Sequence, residues 1–316
     1  MDLTRLTTGL APAWRHIVID WDRTLRSSGR PKTTRYNYLL AVAQFARFLA
    51  EHLPGDNATA AAIDPSETTR AHVEEFQSWM IETRSAATAV NKHKVLQQFF
   101  KWLAADEEEI DRSPMECVKA PSQPTKLVPV MGDQETKKIL ESCKAKTFAD
   151  LRDHAIIRIY YGTGARLSEV ASLTTDDIDM ATDSVVYLGK GGKFRRVRFG
   201  PKTARAVSRY LRARAKHRGA ESPSLWLAER GSQALQANGI KIMLKRRGKR
   251  AGVDGVHAHR WRHNYAHQWK LAGGDTGDLM LLLGWSSDAM ARHYGASAAA
   301  ERAQETQLRM GIGENV

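Results

Sequence analysis

The sequence predicts a mainly α-helical protein with a small β component, divided into a helical domain and a mixed α/β domain. Apolar residues recur at three- and four-residue steps along most of the chain, as they do in amphipathic helices. Two β-branched or alternating runs, residues 184–188 and 195–199, flank a glycine-rich turn and predict one hairpin. A chain of 316 residues is long enough for two domains that each bury a core.

Helical patterns account for the first domain. The first clear helix begins near Thr33 and ends at Pro54-Gly55, a pair that stops helices. Residues 72–81 and 88–104 predict two more helices, each with apolar side chains on one face. The acidic segment 106–111 is predicted to be a solvated loop.

Two prolines, Pro121 and Pro124, lie in a stretch without apolar periodicity and predict a linker over residues 119–130. We therefore assign residues 1–118 to the helical domain and residues 131–296 to the second domain. The remaining residues, 297–316, form an alanine-rich tail that predicts a further helix.

The second domain begins with a helix near Asp133, a residue type that favours helix starts. Residues 152–161 are strongly apolar and predict a buried helix that ends at the Gly-Thr-Gly of 162–164. Another helix begins around Arg166, and beyond Gly200 the pattern is helical again.

The charge of the chain is large and uneven. The formal net charge is +13 and the isoelectric point is 9.8, which predicts a polyanion as partner. Residues 1–125 contain 15 Lys and Arg against 16 Asp and Glu, whereas residues 126–316 contain 33 against 19. The basic excess therefore lies in the second part of the chain.

Cysteine use and hydropathy predict a cytoplasmic protein. Cys117 and Cys143 lack disulfide-like or zinc-like spacing, so we expect reduced thiols. No apolar run is long enough for a bilayer, and Trp14, Arg15 and His16 interrupt any signal-peptide pattern.

The sequence predicts neither a metal nor a nucleotide cofactor. His259, His263 and His267 are spaced four residues apart, as zinc ligands can be, but the Glu of the zinc-protease motif and a nearby Cys are missing. A phosphate-binding loop of the Gly-x4-Gly-Lys-Ser/Thr type is also missing.

Two arginines have the properties that phosphodiester chemistry requires. Attack on phosphorus builds negative charge on the non-bridging oxygens, and a guanidinium can bind two of them while staying protonated. Arg166 and Arg262 lie in apolar, glycine-punctuated contexts that fit this role. The amides at the start of the Arg166 helix would also favour an anion. Glu169, one turn further on, either orients Arg166 or forms an ordinary surface pair with it.

His259 lies three residues before Arg262, which puts both on one face of a helix. There a histidine can donate to a phosphate or carry a proton. Trp285 follows Leu283-Gly284, and its indole can donate a hydrogen bond but cannot accept a proton. Tyr294 is one of eight tyrosines, and Tyr265 is its nearest rival as a reactive phenol.

Four segments, taken in order, resemble the tyrosine recombinase family, also called the phage integrases. The resemblance covers nearly the whole chain and is specific because the hairpin lies between the first and third segments. The four segments are residues 163–169, 189–193, 259–263 and 283–285, the last followed nine residues later by Tyr294.

The resemblance implies a function for each motif position. Tyr294 would be the nucleophile that forms a 3′-phosphotyrosine bond, and Trp285 stands where most family members carry histidine. Lys190, at the hairpin turn, would protonate the departing 5′ oxygen, with Lys193 as its rival.

We also expect basic residues to bind the DNA backbone. In the second domain these surround the hairpin, and in the first they would form a DNA face, although a solvated helix surface explains the latter equally well. They are Lys193, Arg195 and Arg196 in the second domain and Arg84, Lys92 and Lys94 in the first.

The resemblance further implies a two-domain clamp around duplex DNA that carries a specific recombination site. Four subunits would exchange strands in two rounds, with accessory proteins as further partners, and binding would weaken with salt. A type IB topoisomerase and a non-catalytic DNA-binding protein on the same fold are the alternatives. The helical first domain argues against the former, and the complete set of motif positions argues against the latter. We expect deletion of the residues after Gly295 to weaken assembly but spare cleavage.

Overall fold

The computed structural model divides the chain into two compact units, Met1–Thr125 and Lys126–Val316. Side chains are described at every residue of the ranges given in the next sentence, except at residues 56–58, 288, 289 and 293. The described ranges are residues 2–53, 56–107, 109–123, 130–189, 192–311 and 313–314.

The first unit is helical and its core is rich in aromatic side chains. Trp14, Phe45 and Phe99 are buried within contact distance of one another, and the Trp14 indole donates to the Ala61 carbonyl at 2.8 Å. Helix α2, which contains Trp14, had no counterpart among the elements expected from sequence. The helices are α1 (Leu3–Thr7), α2 (Pro12–Ser27), α3 (Lys32–His52), α4 (Asp56–Ile63), α5 (Arg70–Thr83) and α6 (Ala86–Ala105), with a 3-10 turn at Pro65–Glu67.

The second unit combines helices with one small antiparallel sheet of order β1-β2-β3. The predicted fold class, mainly α with a small β component, is therefore confirmed. Its helices are α7 (Asp133–Glu141), α8 (Phe148–Thr163), α9 (Leu167–Ala171), α10 (Pro201–Arg214), α11 (Ala237–Ala251), α12 (Ala258–Leu271), α13 (Thr276–Leu283) and α14 (Asp288–Met310). Its strands are β1 (Ile178–Asp179), β2 (Ser184–Leu188) and β3 (Phe194–Arg198).

The predicted hairpin is present as β2 and β3, with Tyr187 opposite Arg195 and Leu188 opposite Phe194. Val185, Tyr187 and Val197 are buried against the unit, so one face of the hairpin joins the core. Lys190 and Gly191, which come between the two strands in the sequence, lie outside the described residues.

Helix α8 buries charged side chains as well as the apolar ones that its sequence predicted. Asp153 is fully buried and accepts hydrogen bonds from Arg152 and from Arg247 of α11. The terminal nitrogen of Arg152 also donates to the Leu227 carbonyl at 2.8 Å. A buried carboxylate needs such partners, and here they fix α8 against α11.

Two expectations for the second unit were wrong. The helical pattern after Gly200 does not continue through residues 215–236, which contain turns and isolated bridges such as Leu227↔Ala234. Gly219 and Pro223 disfavour a helix there, and Trp226 is buried in the core instead. The tail is not a separate helix, because α14 runs without interruption through Gly295 to Met310.

The described helices include none that is long and apolar enough to cross a membrane. Residues 124–129 of the expected linker lie outside the described ranges.

Candidate active site

The end of α8 leads directly into residues that line the candidate site, Ala165 and Arg166. Gly164 caps the helix with φ +60°, a left-handed conformation that favours glycine. A Cβ at this position would lie 2.9 Å from side-chain atoms of Leu283 and Tyr265, so α12 and α13 approach closely only because the residue is glycine. The chain then turns directly into Arg166.

Arg166 is the N-cap of α9, and Glu169 holds it in place. The Glu169 carboxylate accepts from the Arg166 amide at 2.7 Å and from its Nη1 at 2.8 Å. The other terminal nitrogen of Arg166 donates to the Gly284 carbonyl at 3.0 Å. The Arg166 amide is therefore occupied by Glu169, and Arg166 itself lines the cleft.

The ionised state of Glu169 is strongly favoured. Burial of the carboxyl opposes ionisation, but hydrogen bonds from the Arg195 side chain and the Arg166 amide outweigh it and lower its pKa to about 2. The expected orienting role of Glu169 thus has a geometric basis, whereas a surface ion pair does not describe a side chain that is only 4% exposed.

Arg262 is buried beneath the site on α12. Its Nη1 donates to the Gly164 carbonyl at 3.0 Å and its Nη2 to the Leu283 carbonyl at 2.6 Å. Its side chain also hydrogen-bonds to Tyr294, a contact that lowers the pKa of the phenol. Burial and then the nearby charge of Arg166 lower the pKa of Arg262 to about 10, so it remains a cation at neutral pH.

Helices α12 and α14 bring His259 and Tyr294 together. The Tyr294 hydroxyl lies 2.7 Å from the His259 Nε2, a hydrogen bond whose direction depends on the tautomer. His263, one turn after His259, stacks on the Tyr294 ring with centroids 3.9 Å apart. The His263 ring thus contacts His259 on its own helix as well as Tyr294 on α14.

The Tyr294 phenol is protonated at neutral pH. Burial raises its pKa, and the charges of Arg262 and Arg166 act in the opposite direction. A nearby group that accepts the proton would therefore increase the reactivity of this oxygen.

Trp285, which follows the end of α13, also packs against Tyr294 and Arg262. Gly284 caps this helix with φ +62°, and the indole that follows lies with its ring centre 4.8 Å from that of Tyr294. The Arg262 guanidinium carbon lies 5.1 Å from the Trp285 ring centre. The Trp285 Nε1 is buried and has no hydrogen-bond partner among the described residues, so it is a donor available for a ligand.

These side chains line one cleft of about 980 Å³. Arg166, His259, Arg262, Trp285 and Tyr294 all contribute to it, so five of the six predicted catalytic positions meet in one place. The sixth, Lys190, lies outside the described residues.

Three cleft residues were missed from the sequence. Lys241, Lys245 and Lys249 repeat every fourth residue on α11 and line the same cleft. Their i, i+4, i+8 spacing was a signal that a single basic face exists.

Arg195 differs from our expectation that it contacts DNA. Its guanidinium is committed to the Glu169 carboxylate and the Leu282 carbonyl, and the side chain is 11% exposed. Lys193 and Arg196 are exposed near the hairpin turn, as a DNA contact requires. In the first unit, Arg84 and Lys94 are exposed and Lys92 is partly buried.

Within the described parts of the chain, no cluster of three or more His, Cys, Asp or Glu is arranged to hold a metal ion. His267 instead bonds to α14, with its Nδ1 2.9 Å from the Ser297 hydroxyl.

Comparison with known proteins gives two family matches. The sequence profile of the phage integrase family matches residues 129–301, and that of the phage integrase N-terminal SAM-like domain matches residues 18–110. Tyrosine recombinase XerC of Ralstonia pickettii is 27% identical over 282 residues, covering 83% of each chain. XerC of Bacillus pumilus is 30% identical over 213 residues, which are 66% of this chain and 69% of that protein.

Solved structures share the fold. XerH recombinase bound to a palindromic difH substrate, in a post-cleavage complex, has a TM-score of 0.73 at 19% identity and covers 99% of this chain and 93% of its own. A lambda integrase dimer bound to a COC' core site has a TM-score of 0.66 at 17% identity, covering 89% and 94% respectively.

Proposed function

The chain belongs to the phage integrase family, and on that premise we propose that Tyr294 is the nucleophile with which it cuts and rejoins DNA strands. The protein is a tyrosine site-specific recombinase, so cleavage links the DNA to a tyrosine of the enzyme. The hydrogen bond of 2.7 Å between Tyr294 and His259, inside a cleft lined by two arginines, is the observation that carries the assignment.

In the first step the Tyr294 oxygen attacks the phosphorus of a phosphodiester, and the His259 Nε2 accepts the phenolic proton. The bond from phosphorus to the 5′ oxygen breaks, and that oxygen leaves as a hydroxyl after it takes a proton from Lys190. The products are a free 5′ hydroxyl and a 3′-phosphotyrosine. A 5′ hydroxyl from the partner strand then reverses these steps and frees the enzyme.

Three donors would bind the non-bridging oxygens as charge develops on them. Arg166 and Arg262 both line the cleft, and a guanidinium can bind two oxygens of one phosphate. The buried and unpartnered Nε1 of Trp285 supplies a neutral donor to the same phosphate. Because an indole cannot take up a proton, His259 is left as the proton acceptor.

The lysines of α11 would bind phosphates beside the reacting one. Lys241, Lys245 and Lys249 are exposed on one helical face that lines the cleft. Their charges would neutralise the DNA backbone without reading its sequence.

We further propose that two copies occupy one recombination site and that four copies pair two such sites. The family premise supports this assembly, as does the lambda integrase dimer on its core site. Accessory proteins that set the direction of exchange would act on this assembly.

Replacement of Tyr294 by phenylalanine tests the assignment of the nucleophile. Wild type and variant are incubated with supercoiled plasmid that carries the DNA flanking the gene, and protein–DNA adducts, relaxed topoisomers and recombinants are separated on denaturing gels. We expect adducts and recombinants with wild type and neither with Tyr294→Phe, since the attacking oxygen is gone.

The matched control is Tyr265→Phe, which removes a phenolic oxygen from the next tyrosine upstream in the same unit. It should form adducts as wild type does. An adduct with Tyr294→Phe would refute the assignment, and relaxation without recombinants, irrespective of the plasmid insert, would favour a topoisomerase.

A further inference from the structure

Arg195 makes three hydrogen bonds beside the site and is not among the residues that line the cleft. Its Nη1 and Nη2 donate to the two Glu169 oxygens at 2.9 and 2.7 Å. Its Nε donates to the Leu282 carbonyl at 2.8 Å, just before the Gly284–Trp285 segment. The guanidinium also lies over the Tyr187 ring, 4.9 Å from its centre. Strand β3, α9 and the end of α13 therefore meet at one side chain.

The same side chain touches the support of the second arginine. The Tyr187 hydroxyl lies 2.9 Å from the Thr163 hydroxyl at the end of α8. The next residue, Gly164, accepts the hydrogen bond from Arg262. Arg195 is thus connected to both arginines of the cleft. It reaches Arg166 through Glu169. It reaches Arg262 through Tyr187, Thr163 and the adjacent Gly164.

The charges show why a second arginine is needed beside Glu169. A carboxylate that pairs with Arg166 alone would leave that ion pair with no net charge to attract a phosphate. With Arg195 added, two cations share one anion and the group keeps a net charge of one. The carboxylate is only 4% exposed, so water does little to screen it.

We propose that Arg195 is a positioning residue for strand cleavage: it neutralises Glu169, so that Glu169 can orient Arg166 without cancelling the charge that Arg166 presents to the phosphate. This inference rests on the proposed function of the same site. Strand β3, which contains Arg195, would then also help to position Arg166.

Three variants separate charge balance from simple packing. Arg195→Gln removes the charge, Arg195→Lys keeps it but loses the two-pronged contact, and the double variant Glu169→Gln/Arg195→Gln removes both opposing charges. The matched control is Arg198→Gln, which removes one exposed cation from the same strand. Adduct formation is measured in a single turnover at saturating plasmid, and melting temperature reports folding.

We expect Arg195→Gln to slow adduct formation by about a hundredfold, because an Arg166 whose charge is cancelled by Glu169 is equivalent to one lost donor to a developing oxyanion. The double variant should recover at least about tenfold of that loss, because the uncompensated carboxylate is gone as well. Arg195→Lys should lose less than Arg195→Gln, and Arg198→Gln should match wild type. A double variant no faster than Arg195→Gln, or a lysine variant as slow as the glutamine variant, would overturn the proposal.

A second readout does not depend on DNA cleavage. Inorganic phosphate should raise the melting temperature of wild type and Arg198→Gln, because a ligand that binds only the folded state stabilises it. The increase should be lost in Arg195→Gln and return in the double variant. An equal increase in all four proteins would overturn the proposal even if wild type recombines DNA. Absence of any wild-type adduct, in contrast, would count against the recombinase site itself.

Discussion

As the proposed nucleophile, Tyr294 would have to lose a proton when it attacks, and its surroundings make that loss costly. Burial raises the pKa of the phenol, and Arg262 and Arg166 only partly oppose this effect. The Tyr294–His259 hydrogen bond offers the proton a destination within 2.7 Å. At the scale of single residues, the pH dependence of cleavage should therefore depend on position 259.

Replacement of His259 by glutamine tests this dependence. Without the imidazole, only preformed phenolate reacts, and its fraction rises about tenfold per pH unit below the pKa. We expect single-turnover adduct formation by His259→Gln to rise at about this slope between pH 6.5 and 9, a range below the Arg262 pKa of about 10. Wild type should be faster throughout and depend less on pH.

The control is His217→Gln, since His217 stacks on Phe148 and is not among the residues that line the cleft. It should keep the wild-type profile apart from a modest loss of stability. Parallel pH profiles for wild type and His259→Gln would show that the proton goes elsewhere.

Local motifs were enough to select residues that meet in one cleft, but they could not predict contacts between distant parts of the chain. Arg166, Arg262 and Tyr294 could be chosen from glycine punctuation, spacing and family resemblance. Arg195 was assigned to DNA because a basic residue near a turn usually faces solvent. Its true partner, Glu169, is 26 residues away in the chain, and nothing in the local pattern links them.

At the scale of elements, α14 is longer than the sequence suggested, because it runs from before Tyr294 into the tail. Gly295 suggested a break, because glycine disfavours a helix interior by up to about 1 kcal/mol. Contacts with α12 offset that cost. His267 bonds to Ser297, and Arg302 donates to the Lys270 carbonyl at 2.6 Å. Tyr294 and the tail consequently belong to one helix.

This continuity changes the expected effect of truncation. A chain that ends at Gly295 loses the anchors on His267 and Lys270, each hydrogen bond worth about 1 kcal/mol, and the buried Ala298. We now expect it to melt at a lower temperature and to form adducts more slowly, in contrast to the cleavage-competent protein expected from the sequence.

The matched truncation ends at Met310 and retains the whole helix. It should keep both the melting temperature and the rate of adduct formation. If the chain ending at Gly295 cleaves plasmid at the wild-type rate, the α12 anchors do not support the nucleophile.

At the scale of the whole molecule, the positive charge is concentrated in the residues that also contain the cleft. The first 125 residues are nearly neutral, whereas the rest of the chain carries the basic excess. DNA binding should therefore release counterions mainly through the second unit. Composition predicted this asymmetry, but only the structure identified α11 as one of its faces.

Glutamine at Lys241, Lys245 and Lys249 together should weaken DNA binding and reduce its salt dependence. Each phosphate contact contributes about 0.9 to the slope of log K against log salt, so the slope should fall by up to about 2.7. Fluorescence anisotropy with labelled duplex between 50 and 300 mM salt, a range chosen for roughly physiological screening, measures both effects.

A charge-matched triple variant serves as the control. Lys137, Lys138 and Lys144 are exposed on or just after α7 and do not line the cleft. Glutamine at these three positions lowers the net charge equally but should leave the slope nearly unchanged. Equal slopes for the two triple variants would mean that α11 has no special contact with DNA.

Helix α14 also has a mechanical consequence. Tyr294 and Met310 lie on one rod, about 24 Å apart at the helical rise of 1.5 Å per residue. A force applied at Met310 should therefore be transmitted along the helix to the Tyr294 side chain, because no flexible segment separates the two residues. A fusion or crosslink placed just after Met310 should therefore shift the position of the Tyr294 hydroxyl.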